Sequence, residues 1–110
     1  MDRLEVVERG YQAVVAGDGE VLRECFVDGA IWQLMHLSKV SRTIEGRDAV
    51  VEFLLQFRDL RLEAIMSDGQ YVVAAHSFAA NRKARVIATT LYEVPELQVI
   101  RVSCTDAKRM

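Results

Sequence analysis

The spacing of the apolar residues changes near residue 58, and this change most limits the folds open to the chain. In the first half, apolar side chains recur at intervals of three and four residues, the period of an amphipathic helix. On the first of these segments, one apolar side is shared by Leu4, Val7, Tyr11, Val14 and Val15. The pattern predicts three helices, over residues 2–16, 20–26 and 47–57.

In the second half the apolar residues alternate with polar ones, as in strands that bury one face. This alternation predicts four consecutive strands, over residues 60–66, 71–79, 85–94 and 97–105. Residues 30–36 alternate in the same way and predict one earlier strand, whereas the polar segment 37–46 is expected to be irregular.

Helices that precede a run of antiparallel strands are typical of an α+β fold. We therefore expect one domain over residues 1–110, with its three helices in the N-terminal half packed on a curved antiparallel sheet. A sheet that wraps around a long helix leaves a conical cavity open at one end. Such a cavity is a natural site for a small ligand.

Composition excludes several classes of function. The net charge is −2, so a nucleic-acid partner is not expected. No apolar run approaches the roughly 20 residues that span a bilayer, and the N-terminus lacks the basic-then-apolar order of a signal peptide. Cys25 and Cys104 form no metal-binding spacing. We therefore expect a cytoplasmic protein with reduced thiols, without a membrane partner.

Four short segments carry a resemblance to a known family. They are Ala16-Gly17-Asp18, residues 26–32, residues 44–53 and the closing strand through Asp106. In this order they resemble the SnoaL-like and ketosteroid-isomerase-like branch of the nuclear transport factor 2-like superfamily, which has a cystatin-like α+β fold. The resemblance covers nearly the whole chain. It implies the fold more than the function, because this fold hosts isomerases, cyclases, hydrolases and binding modules.

The resemblance also indicates which family chemistry is missing. The Asp general base of ketosteroid isomerases would fall at about Leu34, and their protonated Asp near Ala88. Their oxyanion tyrosine lies about where Tyr11 stands, one residue out of register. Limonene-epoxide-hydrolase-like members place an Arg between two Asp, but residues 85–94 contain no Asp and only Arg85 as a cation. Both chemistries are therefore disfavoured.

SnoaL-like cyclases resemble the chain best, and they use an Asp near the end of the last strand as acid/base. Asp106 matches that neighbourhood and shares a strand face with Ile100, Val102 and Cys104. If that apolar face points inward, Asp106 lies at the cavity rim, where an apolar setting suits a general base. The alternative is a solvated carboxylate in the C-terminal tail.

The other candidate site residues each have a purely structural alternative. His76 could act with Asp106 in catalysis by polarising a substrate oxygen, or could be a histidine of the core or of an interface. Both faces of its strand are mostly apolar or small, so strand parity does not give its direction. Trp32, Tyr11 and Tyr92 could line a ligand pocket, although all three also fit amphipathic patterns. His36 ends the first strand and could bind ligand or be exposed. No metal site is expected, because the histidines lack ligand spacing, and no cofactor is implied.

These observations predict a small-molecule-binding protein of the SnoaL-like type. An acid/base reaction on an apolar, carbonyl-bearing substrate, of isomerase, cyclase or lyase type, is compatible with the candidates, and the sequence leaves open whether the protein is an enzyme. The alternative is a non-catalytic dimerisation or ligand-carrying module of the same fold. Residues 71–79 have few charges on either face, which predicts a homodimer formed through the sheet.

Overall fold

A computed structural model describes residues 1–81, 84–105 and 108–109. The helices are α1 (Arg3–Ala16), α2 (Gly19–Glu24) and α3 (Arg47–Leu54). The side chain of Asp2 accepts a hydrogen bond from the backbone of Glu5 and begins α1 as a capping box. Gly17, at φ 71°, ends it in the left-handed conformation that glycine adopts without strain.

The strands form one curved sheet. They are β1 (Phe26–His36), β2 (Lys39–Glu45), β3 (Arg61–Asp68), β4 (Tyr71–Asn81), β5 (Ala84–Glu93), β6 (Val99–Thr105) and β7 (Lys108–Arg109). The order across the sheet is β2-β1-β6-β5-β4-β3, and β7 also pairs with β5. The helices pack on this sheet, so the predicted α+β class and the predicted arrangement of three helices on a curved sheet are confirmed.

Two details of the sheet differ from the prediction. The sheet is mixed. The strands β3-β4-β5-β6 form a meander, and its last strand, β6, lies beside β1 and pairs with it in parallel. The segment expected to be irregular contains β2, which forms a hairpin with β1. Of the residues in β2 only Ile44 is buried, so this strand shows no apolar alternation. Its turn uses Leu37 and Ser38, both at positive φ.

The core lies between the helices and the concave face of the sheet. Helix α1 contributes Val7, Tyr11 and Val14, as its apolar side predicts, whereas Val15 is exposed. Alternate residues of the central strands complete the core, among them Ala30 and Trp32, Val72 and Ala74, Ala88 and Tyr92, and Val102 and Cys104. None of the helices in the described residues is both long and apolar enough to cross a membrane.

Candidate functional site

A cavity of about 230 Å³ lies between the helices and the inner face of the sheet. Its walls are mostly aliphatic and aromatic, and no charged side chain among the described residues lines it. The polar residues on its wall are Tyr11, Ser41, His76, Tyr92 and Thr105. Apart from these few groups, an occupant meets apolar surface.

Seven rings on the cavity wall contact one another in a closed circuit. Neighbouring ring centroids are 5.1–6.4 Å apart. In order around the circuit they are Trp32, Phe53, Phe57, Phe78, His76, Tyr11 and Tyr92, closing again on Trp32. Because most of these contacts are tilted or edge-to-face, they are favourable arrangements for aromatic rings. We call this set the aromatic circuit.

Tyr11 is the centre of a buried polar group within the circuit. Its hydroxyl oxygen lies 2.7 Å from Nδ1 of His76 and 2.6 Å from the hydroxyl oxygen of Tyr92. Thr90 Oγ1 is farther from the Tyr11 hydroxyl, at 3.4 Å. All four residues are buried, and buried polar groups are costly unless they are hydrogen-bonded.

Local structure explains why these four side chains meet. Tyr11 lies on the buried side of α1. In the register of β4 and β5, Ala74 is opposite Thr90 and His76 is opposite Ala88, so the inward residues of both strands form adjacent rows. Because successive side chains of a strand alternate between faces, His76, Thr90 and Tyr92 all point towards α1.

Counting protons in this group assigns the tautomer of His76. The Thr90 hydroxyl donates to the carbonyl of Ala74 at 3.0 Å, which uses its proton. If Tyr11 donates to Nδ1 of His76, Tyr92 can donate to Tyr11, and both phenol protons form short bonds. If Nδ1 carried the proton and donated to Tyr11, Tyr11 could donate to Tyr92 over 2.6 Å, but the buried Tyr92 hydroxyl would then need another acceptor for its own proton. The arrangement that places both phenol protons in short bonds favours a proton on Nε2, which has no partner among the described residues.

Burial keeps the whole group uncharged near neutral pH. It lowers the pKa of His76 to about 4 and raises the pKa of Tyr11 to about 12. Burial also raises the pKa of Tyr92 well above its ordinary value. Removing a side chain from water disfavours its charged form, whichever sign that charge has. The site therefore presents a neutral imidazole N–H and two protonated phenols.

The structure brings together four of the six site residues singled out from the sequence. Trp32, Tyr11, His76 and Tyr92 all line the cavity, and the direction of His76, which strand parity left open, is inward. His36 is exposed at the end of β1 and does not line the cavity, because this strand extends past the cavity wall. Asp106 lies outside the described residues.

Sequence reasoning missed Thr90 and three phenylalanines of the aromatic circuit. Thr90 alternates with Ala88 and Tyr92 on β5, so strand parity alone could have placed it inside. Phe53 lies in the helix predicted over residues 47–57, but its contact with Trp32 depends on how α3 crosses β1. In the described part of the chain, no cluster of His, Cys, Asp and Glu side chains could hold a metal ion.

No protein-family model matches the sequence, and no curated protein matches it. Solved structures do. A candidate ketosteroid isomerase from Kribbella flavida superposes with a TM-score of 0.82 at 15% identity, over 98% of this chain and 78% of that one. An NTF2-like protein of unknown function from Cytophaga hutchinsonii gives 0.80 at 10% identity, over 98% and 91%.

The chain has the nuclear transport factor 2-like fold. A candidate SnoaL-like polyketide cyclase from Jannaschia also shares it, with a TM-score of 0.73 at 20% identity, over 93% of this chain and 83% of that one. At such identities the likeness shows the fold alone. The neighbours agree with the branch that the sequence resembles and fix no activity or substrate.

Within this nuclear transport factor 2-like domain, the two positions where the resemblance places carboxylates can now be located. Leu34 and Ala88 both line the cavity. These positions therefore face the site, as the resemblance implies, and they are apolar here. The cavity wall built by the described residues offers hydrogen-bond donors from uncharged groups and no carboxylate.

Proposed function

We propose that this protein binds a small, uncharged, apolar molecule that carries a carbonyl group. The observation that carries the proposal is the neutral imidazole of His76 on the wall of an otherwise apolar cavity, with its Nδ1 occupied by Tyr11. Nε2–H is then the group free to donate to a ligand oxygen. An apolar wall with few convergent polar groups is typical of sites for small organic ligands.

The same geometry supports an electrophilic role for His76. A neutral N–H that donates to a carbonyl polarises it and would stabilise negative charge that develops on its oxygen. The phenols behind it hold the tautomer, because Tyr11 donates to Nδ1. A proton transfer to or from carbon would also need a base. We propose Asp106 as that base. With it, the catalysed reaction would be of isomerase, cyclase or lyase type.

Binding is tested first, by native mass spectrometry and by the fluorescence of the single tryptophan, Trp32. A panel of neutral one-, two- and three-ring ketones serves as probes. We expect at least one ketone to bind with a micromolar dissociation constant. His76→Phe should weaken that binding about tenfold, because it removes one hydrogen bond and retains a ring.

Tyr71→Phe is the matched control, since Tyr71 is an exposed aromatic on β4 that does not line the cavity. Its affinity for the same ketone should equal that of the wild type. The proposal fails if no ketone of the panel binds, or if His76→Phe and Tyr71→Phe bind it equally well.

A second candidate function is assembly through the outer face of the sheet. The register places uncharged side chains side by side across four strands; they are Ala64 and Met66, Val73 and Ala75, Thr89 and Leu91, and Ser103. We call this surface the outer band and propose that it pairs two copies of the chain. Cys25 and Cys104 are buried and are not joined in a disulfide, which supports the cytoplasmic location that we propose with it.

A further inference from the structure

Trp32 contains a polar atom that the protein itself leaves without a partner. The side chain stands on β1, is 3% exposed and lines the cavity. Its indole nitrogen Nε1 is fully buried and has no hydrogen-bond partner among the described residues. A buried donor without an acceptor costs about 1–3 kcal/mol, so such groups are rare in folded proteins.

The surroundings of the indole offer no acceptor. In the sheet Trp32 is opposite Ile44 on β2 and Val102 on β6, both apolar. Its ring neighbours are Phe53, with centroids 6.1 Å apart, and Tyr92, at 6.0 Å. The hydroxyl of Tyr92 is already engaged by Tyr11. The polar group around Tyr11 differs, because each of its hydroxyls has a partner.

We propose that Nε1–H of Trp32 donates a hydrogen bond to an uncharged oxygen of the ligand, which makes Trp32 a specificity-determining residue of the cavity. This inference rests on the proposed function and narrows it. Only Tyr92 and Tyr11 separate Trp32 from His76 in the aromatic circuit. Among the described residues that line the cavity, Trp32 and His76 each have a ring nitrogen without a protein partner, Nε1 and Nε2 respectively.

The charge of the wall decides which kind of ligand oxygen can accept hydrogen bonds from these donors. No Lys, Arg, Asp or Glu of the described residues lines the cavity. A carboxylate would lose its hydration there without gaining a cation, and an ammonium group would meet donors instead of acceptors. A ketone, ester or lactone oxygen has two lone pairs and no charge to desolvate. The ligand class that fits is a neutral hydrogen-bond acceptor on an apolar skeleton.

The test compares α-tetralone with tetralin, which have the same two-ring skeleton with and without the carbonyl oxygen. Binding of each is measured by titration with nitrogen-15-labelled protein, whose single indole gives one unambiguous N–H resonance. We expect α-tetralone to bind more tightly than tetralin and to move the indole proton downfield. Tetralin should leave that proton near its ligand-free position, because it offers no acceptor.

Trp32→Phe retains an aromatic ring and removes the N–H. The preference for α-tetralone over tetralin should fall about tenfold in this variant, the worth of one hydrogen bond to a buried donor. Phe53→Leu is the control, because it changes a ring that contacts Trp32 and removes no polar atom. It should weaken both probes equally and leave the preference within about twofold of the wild type.

Four results would overturn the inference, and they are distinguishable from one another. If Trp32→Phe keeps the full preference, the donor is another group. If the wild type prefers α-tetralone but the indole proton stays in place, Nε1 stays against its neighbouring rings and the proposed function survives without it. If the wild type binds both probes equally, no donor recognises the carbonyl, and the carbonyl part of the proposed function fails as well. If neither probe binds, the proposed function fails and the inference fails with it. The wild-type spectra decide the question even if Trp32→Phe does not fold.

Discussion

The two faces of the strands β3 to β6 differ in solvent exposure more than the apolar character of their residues suggests. On the inner face Ala74, His76 and Thr90 are each at most 5% exposed. On the outer face Leu91 is 38% and Met66 62% exposed, although each is a chain neighbour of an inward residue. Strand parity alone separates the two groups.

Polar atoms behave differently on these two faces. The inner hydroxyls and the His76 ring bond to one another because water does not reach them. On the outer side of β4, Ser77 instead bonds to the charged side chains of Glu63 and Arg85, and the outer band beside it holds small or uncharged side chains. The inner face therefore suits recognition of a ligand by a few fixed donors, and the outer face suits contact with another surface.

The largest effect should separate two tyrosines of the same sheet. Tyr92→Ala removes a buried ring from the aromatic circuit and the partner of the Tyr11 hydroxyl. We expect it to lower the free energy of unfolding by about 3–5 kcal/mol in urea titrations. Tyr71→Ala, on the outer face, should cost less than about 1 kcal/mol. Equal losses would mean that the two faces are not energetically distinct.

The second prediction concerns pH and the inner face. Because burial lowers the pKa of His76 from 6.5 to about 4, the unfolded chain binds a proton more readily than the folded protein. The free energy of unfolding should therefore fall as the pH drops through the interval from 6.5 to about 4. The loss is on the order of 3 kcal/mol, and urea titrations at several pH values measure it.

A variant of His76 assigns that loss. His76→Leu should flatten the pH dependence in this interval, because the buried titrating group is gone. Tyr71→Phe, on the outer face, leaves His76 and its buried partners in place and should keep the wild-type pH dependence. A wild-type profile that is flat between pH 6.5 and pH 4 would contradict the buried, neutral state of His76.

The third prediction concerns the outer band. We expect the protein to have a dimer mass in multi-angle light scattering at micromolar concentration. Leu91→Glu places a charge in the band and should weaken the dimer about a hundredfold, or about 2.8 kcal/mol. Leu97→Glu is the matched control, because Leu97 is 52% exposed in the connection between β5 and β6. A monomer mass for the wild type would remove the band as an interface.

Short-range periodicity in the sequence predicted the helices and most of the strands. Pairings between strands that are far apart in the sequence were not predicted. The three helices and the four strands after residue 58 lie within a few residues of their predicted bounds. The strand β2 was missed because its residues other than Ile44 are exposed, which leaves no periodic signal. The parallel pairing of β1 with β6 joins segments about seventy residues apart, and local propensity says nothing about that.

For the candidate site too, local patterns predicted which residues face inward but not the contacts that join distant segments. Parity and helix period placed Tyr11, Trp32 and Tyr92 on apolar faces, and the structure shows that those faces meet at the cavity. Strand parity did not predict the direction of the His76 side chain, since both faces of β4 are mostly apolar in sequence. Strand parity also failed at the start of β6, where Val99 is buried and Ile100 is exposed. The reason is that the register of β6 against β1 shifts there. The hydrogen bonds of Tyr11 depend on these long-range arrangements.

The smallest predicted effect compares two adjacent threonines of β5. Thr90 is fully buried, and its hydroxyl donates to the carbonyl of Ala74 at 3.0 Å. Thr89 is exposed, and only its backbone bonds to the side chain of Thr105.

Replacing either threonine with Val keeps the shape of the side chain and removes one hydroxyl. Thr90→Val should lower the free energy of unfolding by about 1 kcal/mol, because the lost bond is not replaced by water. Thr89→Val should stay within about 0.5 kcal/mol of the wild type, because its hydroxyl already faces solvent. Urea titrations of both variants measure the difference, and an equal cost would show that the buried hydroxyl group contributes no more than an exposed one.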